Sequence, residues 1–124
     1  MLFRSDVCAR VSKALGVERF RSAGYSTHSY GGVFGAAAAA GALAGINADQ
    51  ARYLFSYTAQ QASGLSCWAR DTEHIEKAFI FGGMTGRNGV TAATMVQKGF
   101  NGVYDVFDGD GNFLAAYADR KSVV

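Results

Sequence analysis

The sequence predicts an all-α fold, a helical bundle segment around a central Gly/Ala-rich helix, and three features carry that expectation. The first is the stretch Gly24 to Ile46, GYSTHSYGGVFGAAAAAGALAGI, whose second half is almost nothing but small residues. Ala36 to Ala40 and Ala42 favour a helix while Gly31, Gly32, Gly35, Gly41 and Gly45 oppose it. Packing must therefore decide, and a helix that is small all round admits other helices on several sides. The second feature is the recurrence of apolar residues at helical spacing before and after this stretch, with Asn and Gly where caps belong. The third is a balance of 16 glycines and no proline, many of the glycines sitting in helix-flanking positions.

Composition narrows the function classes. The 124 residues are one domain's worth at most, and 49% hydrophobic residues suit a globular core. With 12 basic against 10 acidic residues the formal charge is only +2, and no basic stripe gathers to meet nucleic acid. Cys8 and Cys67 are too few and too far apart for a disulfide framework or a zinc knuckle, so reduced thiols and a cytoplasmic location are expected. Arg4, Asp6, Arg10 and Lys13 interrupt the apolar core that a signal peptide needs. The uncharged run Ser29 to Ile46 stands at the lower edge of the roughly 17–25 residues that span a bilayer, and its Ala and Gly add little hydrophobicity. It reads as a buried soluble helix, with no membrane partner.

Taken in order, Val7, Val11, Ala14 and Leu15 form the end of a helix closed by Gly16 at C′, and Met1 to Phe3 extend it upstream. Val17 to Ala23 reads as a short charged connector. The central helix is expected from Gly31 to Gly45, with the polar STHS before it as a loop and the two glycines leaving bare amides at the positive end of the dipole. Asn47 and Gln50 fit a capping box that opens a helix from Ala48 to Ser63, with Leu54, Phe55, Thr58, Ala59 and Ala62 inward and Gln50, Arg52 and Gln60 outward. Gly64 to Glu73 is a loop or fraying helix end holding Trp68. In EHIEKAFIF, His74 and Lys77 lie one turn apart, and Phe79 to Phe81 form an apolar plug. GGMTGRNG, Gly82 to Gly89, leads into a helix from Val90 to Lys98 with Gly99 at C′. Phe100 to Phe107 is expected to be extended, Asp108 to Asn112 a turn, and Phe113 to Ala118 a short helix capped by Asn112, followed by the polar tail DRKSVV.

The turn DGDGN is not a calcium loop: its sixth position is Phe113, where Gly is needed, and no Glu closes it at Asp119. There is no GxxxxGK[ST], and the glycine clusters lack the strand–turn–helix setting of a dinucleotide fold, so no nucleotide cofactor is indicated. His28 and His74 have no carboxylate at a zinc-like spacing, so no metal site is expected. His28, in STHS ahead of helix amides, is a candidate general base beside an anion site, with Ser26 and Thr27 as substrate-binding candidates; the alternative is a loop histidine bonded to backbone. Lys77 has apolar neighbours whose desolvation suits an amine to acid–base work, against the alternative of a snorkelling surface lysine. Arg87 is either a carboxylate clamp or a surface arginine. His74, Cys67, Trp68 and Arg70 read as structural.

The combination of GYSTHSYGGVFGAAAAAGALAG, AQQASG from Ala59 to Gly64, a lysine, and then GGMTGRNGVTAA resembles the MmgE/PrpD family, which includes 2-methylcitrate dehydratases and cis-aconitate decarboxylases. The resemblance runs from Val7 to about Ala118 and identifies the chain with part of that family's large helical domain. It implies a cofactor-independent lyase or isomerase acting on a small di- or tricarboxylate, with the site between the helical domain and a smaller α/β lid, and a homodimer in the full-length protein. A base takes the proton next to a carboxylate, and an acid helps hydroxide or carbon dioxide depart. Counted back without gaps from FGAAAAA, the family's active-site histidine column falls on Ser26, with His28 two residues on; its lysine column, counted from Gly89, falls one residue from Lys77. These departures imply a rearranged site. The upstream helices and lid lie outside these 124 residues, so the chain is expected to be a fragment with little activity alone. A different class of reading is an inactive helical remnant or a self-associating scaffold that exposes apolar faces.

Overall fold

A computed structural model describes residues 2–118; the expected polar tail from Asp119 onward lies outside the described residues. The elements are α1 (Leu2–Leu15), α2 (Val17–Ser22), α3 (Thr27–Ala44), α4 (Ala48–Gln61), a 3-10 turn (Ser66–Arg70), α5 (Ile75–Ala78), a π-turn (Phe79–Gly83), α6 (Met84–Gln97) and α7 (Phe113–Tyr117). Among the described residues the only β pairing is an isolated antiparallel bridge between Tyr25 and Leu65. The all-α expectation holds.

The central helix α3 packs most extensively against α1 and α6, and also against α4. Its small residues are what permit this. A Cβ on Gly31 would lie 2.5 Å from Ser12 Oγ of α1, and one on Gly35 would lie 2.6 Å from the Arg4 carbonyl. On the α6 side the bare residue is Gly89, whose added Cβ would sit 2.6 Å from the Ala37 nitrogen. The buried residues gather in two clusters along α3. One joins Tyr30, Val33 and Phe34 to Val11, Leu15, Phe20, Ala62 and Phe113. The other joins Ala37 to Leu54, Ala92, Ala93 and Val96.

Local signals held where they were complete. Asn47 accepts from the Gln50 amide at 2.9 Å and the Gln50 side chain accepts from the Asn47 amide at 2.9 Å, the full capping box. Asn112 caps α7 by accepting from the Ala115 amide at 2.8 Å. Gly16 and Gly99 take left-handed φ of 76° and 98° where their helices stop.

Several expectations are corrected. The charged connector after Gly16 is the helix α2: Phe20 is buried in the core while Glu18, Arg19 and Arg21 point outward, so the charges mark one face and not a loop. The central helix begins at Thr27, four residues before Gly31, because Ser26 caps it and makes STHS its cap and first turn. Gly31 and Gly32 therefore lie inside the helix, and their amides are not the free ones. The glycines from Gly82 to Gly89 are likewise helical, running through the π-turn into α6, where Thr85 Oγ1 donates to the Phe81 carbonyl at 2.9 Å. The segment 100–107 is irregular rather than extended. Side chains from α4 hold it: Arg52 Nη1 donates to the Tyr104 carbonyl at 3.1 Å and Tyr57 OH to that of Asn101.

Candidate functional site at the start of the central helix

The left-handed glycines Gly24 (φ 99°) and Gly64 (φ 132°) flank the Tyr25–Leu65 bridge. Across it the Ser26 amide donates to the Gly64 carbonyl at 3.0 Å and the Ser66 amide to the Gly24 carbonyl at 2.9 Å. Gly64 must be bare because an added Cβ would meet Ser29 at 2.5 Å. This crossing lays the 3-10 turn beside the first turn of α3. Between α2, that first turn and the 3-10 turn lies a cleft of about 590 Å³, lined among others by Glu18, Arg21, Ser26, Thr27, His28 and Trp68.

Ser26 is the hub of the cleft floor. Its Oγ accepts from the Ser29 amide at 3.4 Å, from Ser29 Oγ at 2.9 Å and from Trp68 Nε1 at 3.2 Å. His28 is exposed, and its ring lies 4.6 Å from Phe81 at 31° and 5.6 Å from Trp68 at 85°. Phe81 and Trp68 meet edge to face at 4.6 Å. Lys77 is half-buried; its Nζ stands 6.0 Å from the centre of the Trp68 ring and 3.1 Å from His74 Nδ1. His28 and Lys77 thus both reach one indole.

The segment carrying Lys77 is fixed by Asp71, whose carboxylate accepts from the amides of Glu73 at 2.9 Å and Glu76 at 2.7 Å. Desolvation is the largest single influence on this carboxyl and raises its pKa, but the backbone bonds from Glu73, Glu76, Lys77 and His74 together outweigh it and hold the group below its ordinary value. His74, between these amides, takes a left-handed φ of 66°, unusual for a residue with a side chain.

Of the residues singled out in the sequence, Ser26, Thr27 and His28 line the cleft, and Lys77 adjoins it through Trp68. Arg87 does not line it: the exposed guanidinium lies 5.7 Å from the Phe79 ring, and its Nε donates to Asn88 Oδ1 at 3.2 Å. The cation that does line the cleft is Arg21, hidden in the sequence because α2 read as a connector. Trp68, read as structural, was missed for the opposite reason, since nothing local to SCWAR points 42 residues back to Ser26. Gly64 in AQQASG was the available signal, a glycine that anticipates a close chain crossing. Among the described residues, no three His, Cys, Asp or Glu side chains are grouped to hold a metal ion, and no helix is long and apolar enough to cross a membrane.

An all-α domain whose cleft opens at the start of a central Gly/Ala helix is the class that fold and site define. The chain belongs to the MmgE/PrpD family, with the model of the MmgE/PrpD N-terminal domain matching residues 5–124. Membership supports a dehydratase-like role in general. A search of curated proteins gave no match.

Proposed function

We propose that the chain carries one wall of a cofactor-independent lyase or isomerase site for a small di- or tricarboxylate, 2-methylcitrate dehydratase-like in its chemistry. The observation that supports this best is the approach of His28 and Lys77 to the same Trp68 ring beside the cleft. A substrate carboxylate is held by Arg21 and by the Thr27 and His28 amides at the start of α3, since Ser26 takes those of Ser29 and Tyr30; the helix dipole favours negative charge there, with the Ser26 and Thr27 side chains beside it. His28 takes the proton from the carbon next to the carboxylate, the electron pair left behind forms the carbon–carbon double bond, and hydroxide leaves the neighbouring carbon with a proton from Lys77, as water.

The test is a titration of citrate and simpler dicarboxylates into the chain, followed by the fluorescence of Trp68, its single tryptophan. Saturable quenching is expected, weakened roughly 10- to 100-fold in Arg21→Met, the loss of one charge-assisted hydrogen bond. Absence of saturable binding for every di- and tricarboxylate tried would sink the reading. The 124 residues form part of a larger helical domain in this proposal, located in the cytoplasm as a homodimer, and dehydration needs the rest of the site. Stereospecific dehydration by the chain alone would contradict that part.

A second reading, a self-associating helical module without catalysis, is favoured by the exposed apolar residues Leu43, Ile75, Val90 and Phe100. Sedimentation that shows concentration-dependent association, together with no carboxylate binding, would select it.

A further inference from the structure

We propose that Trp68 is a positioning residue that sets the direction of both His28 and Lys77. The inference rests on the assignment of that pair made above. An exposed histidine in the first turn of a helix has several rotamers open to it. Here the selection comes from rings. His28 lies over Phe81 at 4.6 Å, and Trp68 stands nearly perpendicular to both, at 85° to His28 and 79° to Phe81. The orientation of Trp68 is in turn fixed by a directional bond, Nε1–H to Ser26 Oγ at 3.2 Å, at the cap of the helix that carries His28. The same indole lies 6.0 Å from Lys77 Nζ, which also stands 3.1 Å from His74 Nδ1. The distance between His28 and Lys77 therefore cannot exceed the sum of their two distances to this ring. One hydrogen bond at the helix cap aligns a ring against which His28 packs at 5.6 Å and beside which Lys77 stands at 6.0 Å.

Nuclear magnetic resonance on the 124-residue chain tests this directly. In the unaltered chain the indole Nε1 proton should exchange with solvent at least tenfold more slowly than that of free tryptophan. Ring-to-ring Overhauser contacts should join His28 to Phe81, and the Lys77 ε-protons should be shifted upfield. In Trp68→Phe the ring is kept and the anchor to Ser26 is lost. The His28–Phe81 contacts should disappear and the Lys77 ε-protons should move to their free position, while the amide spectrum of α3 and α6 stays in place. A residue that merely filled space would leave His28 and Lys77 where they are in Trp68→Phe, and that result overturns the proposal. Should Trp68→Phe fail to fold, the unaltered chain decides: an indole proton exchanging at the free rate, or no His28–Phe81 contact, overturns it, and both features present support it. Citrate binding is read separately on the unaltered chain, so its absence would remove the lyase reading and leave the positioning result standing.

Discussion

Gly89 of α6 rests on the backbone of Ala37 in α3 so closely that a single added Cβ would stand 2.6 Å from the Ala37 nitrogen and 2.7 Å from the Ala36 Cβ. Neither neighbour can move aside, since one is backbone and the other a methyl fixed to it. Gly89→Ala is therefore expected to destabilise the chain by about 1–3 kcal/mol through overpacking. Gly86→Ala in the same helix meets nothing within 4 Å and should instead gain about 0.5–1 kcal/mol from helix propensity. Urea unfolding of the two variants checks the pair; equal effects would show that the contact does not govern the packing of α6.

The capping box at Asn47 predicts a loss of about 0.5–2 kcal/mol for Asn47→Ala, because the Gln50 amide is left without its acceptor. Asn47→Gly should cost only a few tenths of a kcal/mol. Thermal melting of the variants by circular dichroism reads the difference.

Asp71 ties its segment together as a carboxylate, and its folded pKa lies below the ordinary value. A lowered folded pKa means the unfolded chain takes up the proton first on acidification. The stabilisation is therefore present above the unfolded carboxylate range and is lost as pH falls through the folded pKa. Hydrogen exchange at the Glu73 and Glu76 amides should accelerate over that acid window beyond the intrinsic pH trend, and Asp71→Asn should abolish the dependence. A pH-independent protection in the unaltered chain would contradict the role given to this carboxylate.

The Tyr30 phenol has its pKa raised, first by burial and then by its hydrogen bond and proximity to Tyr117 and by Tyr25. The folded chain holds this proton longer than the unfolded one, so the stabilisation is complete below the ordinary phenol pKa of about 10 and is lost as pH climbs toward the folded value. Denaturant midpoints measured on either side of that pH should fall on the alkaline side, and less so in Tyr30→Phe, which has no proton to lose.

What the sequence determined by itself is what local chemistry encodes. Asn47 with Gln50, Asn112, Gly16 and Gly99 announced their caps because a cap is made within a few residues, and the four-residue spacing of Leu54, Thr58 and Ala62 marked the buried face of α4. The small residues of α3 announced neighbours on several sides, and α1, α4 and α6 are those neighbours. Tertiary structure decided where the glycines act. Gly31, Gly32 and the run from Gly82 to Gly89 read as helix starts because glycine is locally a poor helix former, yet they lie within helices: Gly31 and Gly89 are bare where another helix packs against them. Tertiary structure also decided the site. Ser26 and Trp68 are 42 residues apart, and only the chain crossing at Gly64 brings the indole to the helix cap, His28 to the indole, and Arg21 to the cleft. A contact between distant segments leaves no periodicity in either, so its record is confined to the bare glycine that lets them meet.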